Sequence, residues 1–420
     1  MNDANTKSTI IKTNMNTFTT HRTHRRKDVA RYVSTILALL LPLFAFAIGR
    51  QYNSPNSLDR NIHFDGTAGN YASRVEAAGF GYTNDTLTIE AWVHVENMTT
   101  YRVIFCNTQG ANIVGSPKNL QFRVATDGKL EFGMNTGTWQ SVKSTRSITG
   151  TGKWVHVAVV KNGTGTSNVT LYINGEADAT GTVSQTFTPD RIMLGAFWQN
   201  SATSLYFNGN IDELRIWKKA RTADEIKTQM YNDLNGNEAG LAAYYRINED
   251  YEALTIPDNT GKGYGFTLTG SAWQRQVFPR GAGTEADPYL IETLRDLQLL
   301  SHNTNAGTGK YYFKQTADID AAPTRNWHYD KGYWSNSYAI EGFVPITQDF
   351  NDGYHNYFNG TYDGQNHRIS NLYVNAKGME PYLGGAALFS CVKNAVIKNL
   401  GLTDCYILGS TNVAGLVSRT

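Results

Sequence analysis

The stretch Phe197-Trp-Gln-Asn-Ser-Ala-Thr-Ser-Leu-Tyr-Phe207 gathers aromatic rings, side-chain amides and hydroxyls in one short segment. Rings of this kind stack on the apolar faces of sugars while amides bond hydroxyl groups, so Trp198 and Tyr206, with Trp139 upstream, are the candidate ligand-binding residues. The competing reading has these rings packing at a sheet edge. Carboxylate chemistry has less support. Glu90 lies in Leu87-Thr-Ile-Glu-Ala-Trp-Val93, but a glycosidase needs two carboxylates across one sugar and no Glu-x-Asp-x-x-Glu run accompanies it. Glu90 therefore reads as a structural hydrogen-bonding residue. His156, in an apolar stretch, reads as buried and hydrogen-bonded. Asp318, Asp320, Asp363 and His367 read as residues that end coils and fill turns. No nucleophile elbow, P-loop or His-Glu-x-x-His motif occurs, and no catalytic residue is expected.

These residues must be held by β-structure. In Trp154-Val-His-Val-Ala-Val-Val-Lys161, Val155, Val157 and Val159 fall on one face and His156, Ala158 and Val160 on the other, the period of two that a strand imposes. A strand apolar on both faces lies within a sheet that has another layer against it. Val169-Thr-Leu-Tyr-Ile-Asn-Gly175 follows, so segments 154–161 and 169–174 are expected to pair antiparallel, with Asn174-Gly175 supplying a tight turn. The segment 87–95 alternates in the same way. At Arg221-Thr-Ala-Asp-Glu-Ile the period changes, and Thr222 with Glu225 three residues on predicts a capping box and one short helix. Abundant glycine (39 residues) and 12% aromatics suit turn-rich β-structure.

Several segments resemble laminin G-like, or concanavalin A-like, jelly-roll domains, in order along the chain. They are Ile62-His-Phe-Asp-Gly66, Leu87 to Val93, Asp127-Gly-Lys-Leu-Glu-Phe132, the 154–175 hairpin, and Phe207-Asn-Gly-Asn-Ile-Asp-Glu-Leu-Arg-Ile-Trp217 with the helix after it. The resemblance spans roughly residues 57–275. It implies a lectin-like sandwich, and a structural calcium (Ca2+) held in part by Asp65 and Asp212, although Asp65-Gly66 is equally an ordinary turn.

The C-terminal part repeats. Ile369-Ser-Asn-Leu372 recurs as Ile397-Lys-Asn-Leu400, and Ala387-Leu-Phe-Ser390 as Gly415-Leu-Val-Ser418, both 28 residues on. Two matches at one offset predict stacked coils, with Asn371 above Asn399 at the strand spacing. Thr293 should cap a helix carrying Leu294, Leu297 and Leu300 that closes the first coil. Residues 281–420 resemble the GLUG-motif solenoid repeat of bacterial (Bacteroidetes-type) surface proteins, through Gly283-Thr-Glu-Ala-Asp-Pro-Tyr289, Ala317-Asp-Ile-Asp320, Phe358 to Gly364, Ile397 to Leu402 and Val413-Ala-Gly-Leu-Val417, with Ala414 where that family has Gly. No cap follows Val417, so further coils are expected beyond Thr420.

The expected architecture is all-β: an antiparallel jelly-roll β-sandwich followed by the start of a parallel β-solenoid. It divides into an extension and signal peptide (1–47), the sandwich (48–275), a linker (276–286) and a truncated GLUG-type solenoid (287–420). His24-Arg-Arg-Lys27 and Arg31, then a largely apolar run to Phe46 and Ala45-Phe-Ala47, predict export with cleavage after Ala47, an uncleaved anchor being the alternative and Met15 a possible start. The first 31 residues hold seven Lys/Arg against two Asp/Glu, which leaves 31 basic and 34 acidic groups in the rest. That near-neutral body excludes a nucleic-acid footprint. Three cysteines, Cys106, Cys391 and Cys405, make neither a disulfide scaffold nor a zinc site. The function expected is that of a secreted or cell-surface, non-enzymatic protein, lectin-like or an adhesin. Its partner is carbohydrate or glycoprotein, with no membrane span after cleavage. The rival is the targeting module of a larger polysaccharide-degrading enzyme.

Overall fold

A computed structural model describes residues 60–75, 85–96, 98–109, 118–149, 152–199, 201–248, 253–302, 310–333, 336–347, 357–377, 385–410 and 412–420. The predicted signal segment lies outside the described residues. The sandwich consists of two eight-stranded antiparallel sheets. The first runs, strand beside strand, through Glu176–Gly181, Val169–Ile173, Trp154–Asn162, Thr86–Val95, Asn208–Trp217, Asn61–Asp65 and Trp273–Gln276, with Leu241–Tyr245 also pairing Asn208–Trp217. The second runs through Thr255–Ile256, Phe266–Thr269, Tyr71–Val75, Arg191–Leu194, Arg102–Gln109, Lys118–Val124, Lys129–Asn135 and Trp139–Ser147.

Alternation decides which side chains meet between the sheets. Ile89, Ala91 and Val93 of the first sheet and Leu120, Phe122 and Phe132 of the second are fully buried in one core. The expected hairpin is present: Val157 lies opposite Ile173 and Val159 opposite Leu171 in an antiparallel pair. Asn174 and Gly175, both at positive φ (52° and 77°), close the next hairpin, and the Asn174 side chain accepts the His156 N–H at 2.9 Å.

The opposite face of strand 154–162 needs its own cover. Helix α1 (Ala223–Gln229) supplies part of it by burying Ile226 against Ala158, Val160 and Tyr172. Its capping box forms as the sequence predicts, with the Glu225 N–H donating to Thr222 Oγ1 (3.2 Å) and the Thr222 N–H to Glu225 Oε2 (2.8 Å).

Beyond the sandwich the pairing becomes parallel. Tyr289–Ile291, Tyr312–Gln315, Thr361–Asp363 and Val396–Lys398 form one ladder, and Ile319–Asp320, Arg368–Ser370 and Gly401–Thr403 a second. Tyr373–Ala376 with Tyr406–Gly409 and Phe389–Cys391 with Val417–Arg419 add two more parallel pairs. Their inward residues, among them Phe313, Tyr362, Ile369, Val374 and Phe389, share a core with Leu294, Leu297 and Leu300 of helix α2 (Leu294–His302). Thr293 caps that helix by accepting the Asp296 N–H at 3.2 Å.

The expected asparagine ladder is corrected here. Phe389 does lie beside Val417, 28 positions on, but Ile369 lies beside Leu402 and Tyr362 beside Ile397. Asn371 and Asn399 therefore belong to different ladders. Each takes the left-handed conformation (φ 58° and 54°) at a corner, as Asp404 does (φ 54°), and each donates to an aspartate of an earlier strand, Asn371 to Asp320 and Asn399 to Asp363, both at 2.9 Å. The strand–Asn–Leu signature marks a corner and recurs from ladder to ladder, so its sequence spacing is not the length of a turn of the stack.

Residues 276–286, expected as a linker, are tied to both regions. Gln276 pairs with Asn61, and the Val277 carbonyl accepts from Asn61 Nδ2 (3.2 Å). Phe278 is buried 4.8 Å from the Tyr289 ring and 5.7 Å from Phe313. The start of the parallel region covers the outer face of the first sheet: Tyr231 lies 4.9 Å from Trp92 and 5.2 Å from Trp327, and Gln298 of α2 donates to the Tyr231 carbonyl at 2.7 Å.

Candidate functional site

With one outer face covered, the outer face of the second sheet becomes the candidate site. Its residues follow from register. Opposite inward Leu120, Phe122 and Val124 stand outward Asn119, Gln121 and Arg123, with Glu131 and Gly133 facing them across the next strand. Arg123 donates to Glu131 Oε2 from Nε (3.0 Å) and to Gln121 Oε1 from Nη1 (2.7 Å), and Gln121 donates to Asn119 Oδ1 (3.3 Å). Its guanidinium lies between two rings, 4.1 Å from the centroid of Tyr101 and 4.6 Å from that of Trp139. Gly133 makes room for that indole, since a Cβ there would stand 2.2 Å from Trp139 Cζ2. Trp139 remains 37% exposed, an unusual position for so large an apolar ring.

The loop singled out by sequence forms a small hairpin, Phe197–Gln199 with Ala202–Ser204. It packs on outward Val103, Cys106 and Met193 of the same face, with Trp198, Leu205 and Tyr206 half-buried against them. Arg191, from the strand beside it, lies with its guanidinium 4.0 Å from the Trp198 ring centroid. Tyr206 anchors the hairpin: its hydroxyl donates to the Thr203 carbonyl (2.9 Å) and its own carbonyl accepts from Arg102 Nη1 (2.7 Å). Burial pushes the Cys106 thiol up to about 12, which leaves an inert packing residue on this face.

Trp139 and Trp198 thus share one face. Arg123, Arg191, Gln121 and Glu131 were missed by residue-type reasoning. The alternation of Asn119-Leu-Gln-Phe-Arg-Val124 carried the signal, because the side opposite its apolar residues is entirely polar.

The calcium pair does not converge. Asp65 lies opposite Asn208, while Asp212 lies four residues further along that strand, roughly 13 Å away at the usual rise. Asp65 Oδ1 accepts the Thr67 N–H (2.9 Å) and hydroxyl (2.7 Å), the arrangement of an ordinary turn. Asp212 is fully buried, accepts the Glu213 N–H (2.8 Å) and forms an ion pair with Arg295 of α2. A carboxylate already facing a guanidinium is a poor calcium ligand, and among the described residues no group of three or more His, Cys, Asp or Glu side chains could hold a metal.

Glu90 is wholly buried beneath α1, where it accepts from Trp217 Nε1 (2.9 Å) and Arg221. Burial would raise its carboxyl, but Arg221, Arg215 and His156 outweigh that and hold it below the ordinary range. His156 lies 3.8 Å from it, and burial lowers the imidazole to about 3. Asp318 pairs with His367 (3.2 Å) and Arg368 (3.0 Å), and Asp320 and Asp363 receive the corner asparagines. These groups bind the fold together.

The chain is 28% identical over 178 residues to halomucin of Haloquadratum walsbyi, covering 40% of this chain and 2% of that protein. It is 31% identical over 132 residues to a Gly-rich membrane protein of Evansella cellulosilytica, covering 31% of this chain and 13% of that one. This chain therefore spans only a small part of either relative's length. Among solved structures it is similar to the CBM40 of Ruminococcus gnavus IT-sialidase bound to α2,3-sialyllactose (15% identity, TM-score 0.30, 34% of this chain and 81% of that one). It is also similar to domain 4 of AbnA, an extracellular arabinanase of Geobacillus stearothermophilus, in complex with arabinotriose (24% identity, TM-score 0.31, 40% and 74%). Residues 65–227 match the family model of the concanavalin A-like lectin/glucanases superfamily, and the sandwich that contains them has a jelly-roll fold.

Proposed function

We propose that this chain is an exported binding protein that engages carbohydrate through the outer face of its second sheet, followed by a β-solenoid that serves display or further contacts. One observation carries the reading. Trp139 and Trp198 lie on a single face, each beside a stacked guanidinium, while the opposite face of the sandwich is covered. Indole faces take the C–H side of a sugar ring, and a guanidinium beside such a ring can supply hydrogen bonds to hydroxyls. Binding suits the site better than hydrolysis, because the buried carboxylate that invites a catalytic role, Glu90, is on the other sheet and out of reach of solvent. The basic and apolar N-terminal segment supports export, and the four parallel ladders support a solenoid.

A glycan array probed with the full chain tests this. Trp139→Ala and Trp198→Ala should each weaken the best ligand by about tenfold or more, with thermal unfolding little changed for the more exposed Trp139. A blank array, or two folded variants that bind as the wild type does, removes the reading.

A further inference from the structure

We infer that the corner built by Arg191 and Trp198 takes the carboxylate of an acidic sugar, so that the ligand of this face is a carboxylated saccharide. The inference rests on the carbohydrate reading above and narrows it. Several arginines bury Nε without an acceptor, and all but one engage their other nitrogens. Arg74, Arg215, Arg221, Arg246, Arg280 and Arg295 each donate to a carbonyl or a side-chain oxygen.

Arg191 differs. Its Nε is buried without a partner, and among the described residues no oxygen accepts from its guanidinium, which is held only by the Trp198 ring at 4.0 Å. Directly across the ladder, Thr108 is fully buried and its hydroxyl also lacks a partner. Asp190 and Tyr71 act on the guanidinium electrostatically without forming an ion pair with it, and burial lowers its pKa. A half-buried guanidinium without an acceptor is costly to maintain.

The missing component is an anionic oxygen. A planar guanidinium matches a carboxylate through two parallel N–H···O bonds, and stacking on Trp198 fixes the plane in which those bonds form. A sugar that carried the carboxylate would lay its ring along the aromatic face beside it. Arg123 cannot serve in this way, because Glu131 already occupies its fork.

The test uses the full chain and two matched pairs of probes in calorimetric titration: oligogalacturonate against its methyl ester, and sialyllactose against lactose. The two pairs distinguish a uronate from a terminal nonulosonate. The acidic member of at least one pair should bind roughly tenfold or more tighter than its neutral twin. Arg191→Gln should abolish that preference while leaving thermal unfolding unchanged, and Arg191→Lys should restore only part of it. Equal binding of acid and neutral twin, or a preference that survives Arg191→Gln, overturns the inference and leaves carbohydrate binding intact. If no member of either pair binds and a wider neutral array is blank as well, the carbohydrate reading itself fails.

Discussion

The two outer faces of the sandwich come from the same alternating strands and hold charge in opposite ways. On the first sheet Glu90, Asp212, Arg215 and His156 are at most 1% exposed, and groups from other elements meet them. Arg221 and Trp217 bond Glu90, Arg295 of α2 pairs with Asp212, and Arg215 reaches Glu213 (2.7 Å) and the carbonyls of Gln229 (2.9 Å) and Asn232 (2.6 Å). On the second sheet Arg123 and Arg191 lie half-buried and flat against rings, with partners from their own sheet or none. A buried charge costs several kcal/mol unless it is paired, so the first face requires a cover that brings its countercharges. Stacking holds both guanidinium groups of the second face in place; Glu131 neutralises Arg123, whereas among the described residues no carboxylate forms an ion pair with Arg191. Charge on the first face is part of the fold, and on the second the Arg191 guanidinium is left for a ligand.

The largest effect on that contrast should come from the cover. Arg295→Ala strands Asp212 as a buried charge and should lower the stability of the full chain by about 3–5 kcal/mol in urea unfolding. Replacing both by leucine should recover most of the loss, because no unpaired charge remains. Wild-type stability in the single variant would mean that this pair does not join the parallel region to the sheet.

Acid should weaken the same face next. His156 is neutral in the fold, with a pKa near 3, whereas in the unfolded chain it takes up a proton near 6.5. The unfolded state therefore binds more protons across that window, and stability falls as the pH drops from about 6.5 towards 3. Glu90 acts in the same direction, since its lowered pKa gives stability that is present above the ordinary carboxylate value and lost as the pH falls through the folded one. Glu213 and Asp296, raised by burial, act against it. The difference between wild type and His156→Gln across this pH range isolates the histidine, and parallel curves would remove it from the account.

Strands and caps were legible because their signals are local. The alternation of Val155 to Val159, the Asn174-Gly175 turn and the Thr222/Glu225 box each lie within one short segment and formed as read. Longer-range features were not. Asp212 sits in a motif that suggests a metal, but its partner, Arg295, is 83 residues away on a different element. Similarly, the 28-residue recurrence of Ile-x-Asn-Leu is real as sequence and misleading as geometry, since corners of different ladders demand the same left-handed residue followed by the same inward leucine. Trp139 and Trp198 were visible as rings, whereas the guanidinium groups that stack on them become evident only once register puts residues 123 and 191 on their face.

The smallest effect concerns whether the two faces are independent. Helix α1 lies over the first sheet alone, and its N-terminus is held by Thr222 and Glu225, each satisfying the other's backbone N–H. Thr222→Ala removes the hydroxyl acceptor and should cost about 1 kcal/mol, while Thr222→Asp should keep most of it, because a carboxylate at this position also accepts the bond and favours the positive end of the helix dipole. Arg221, the preceding residue, carries its guanidinium to Glu90, so loosening this turn disturbs the buried charges of the first face. The second face shares no side chain with that turn. Its ligand affinity should therefore be the same in Thr222→Ala as in the wild type at temperatures well below unfolding, and a parallel loss of stability and of affinity would show that the two faces are coupled through the core between them.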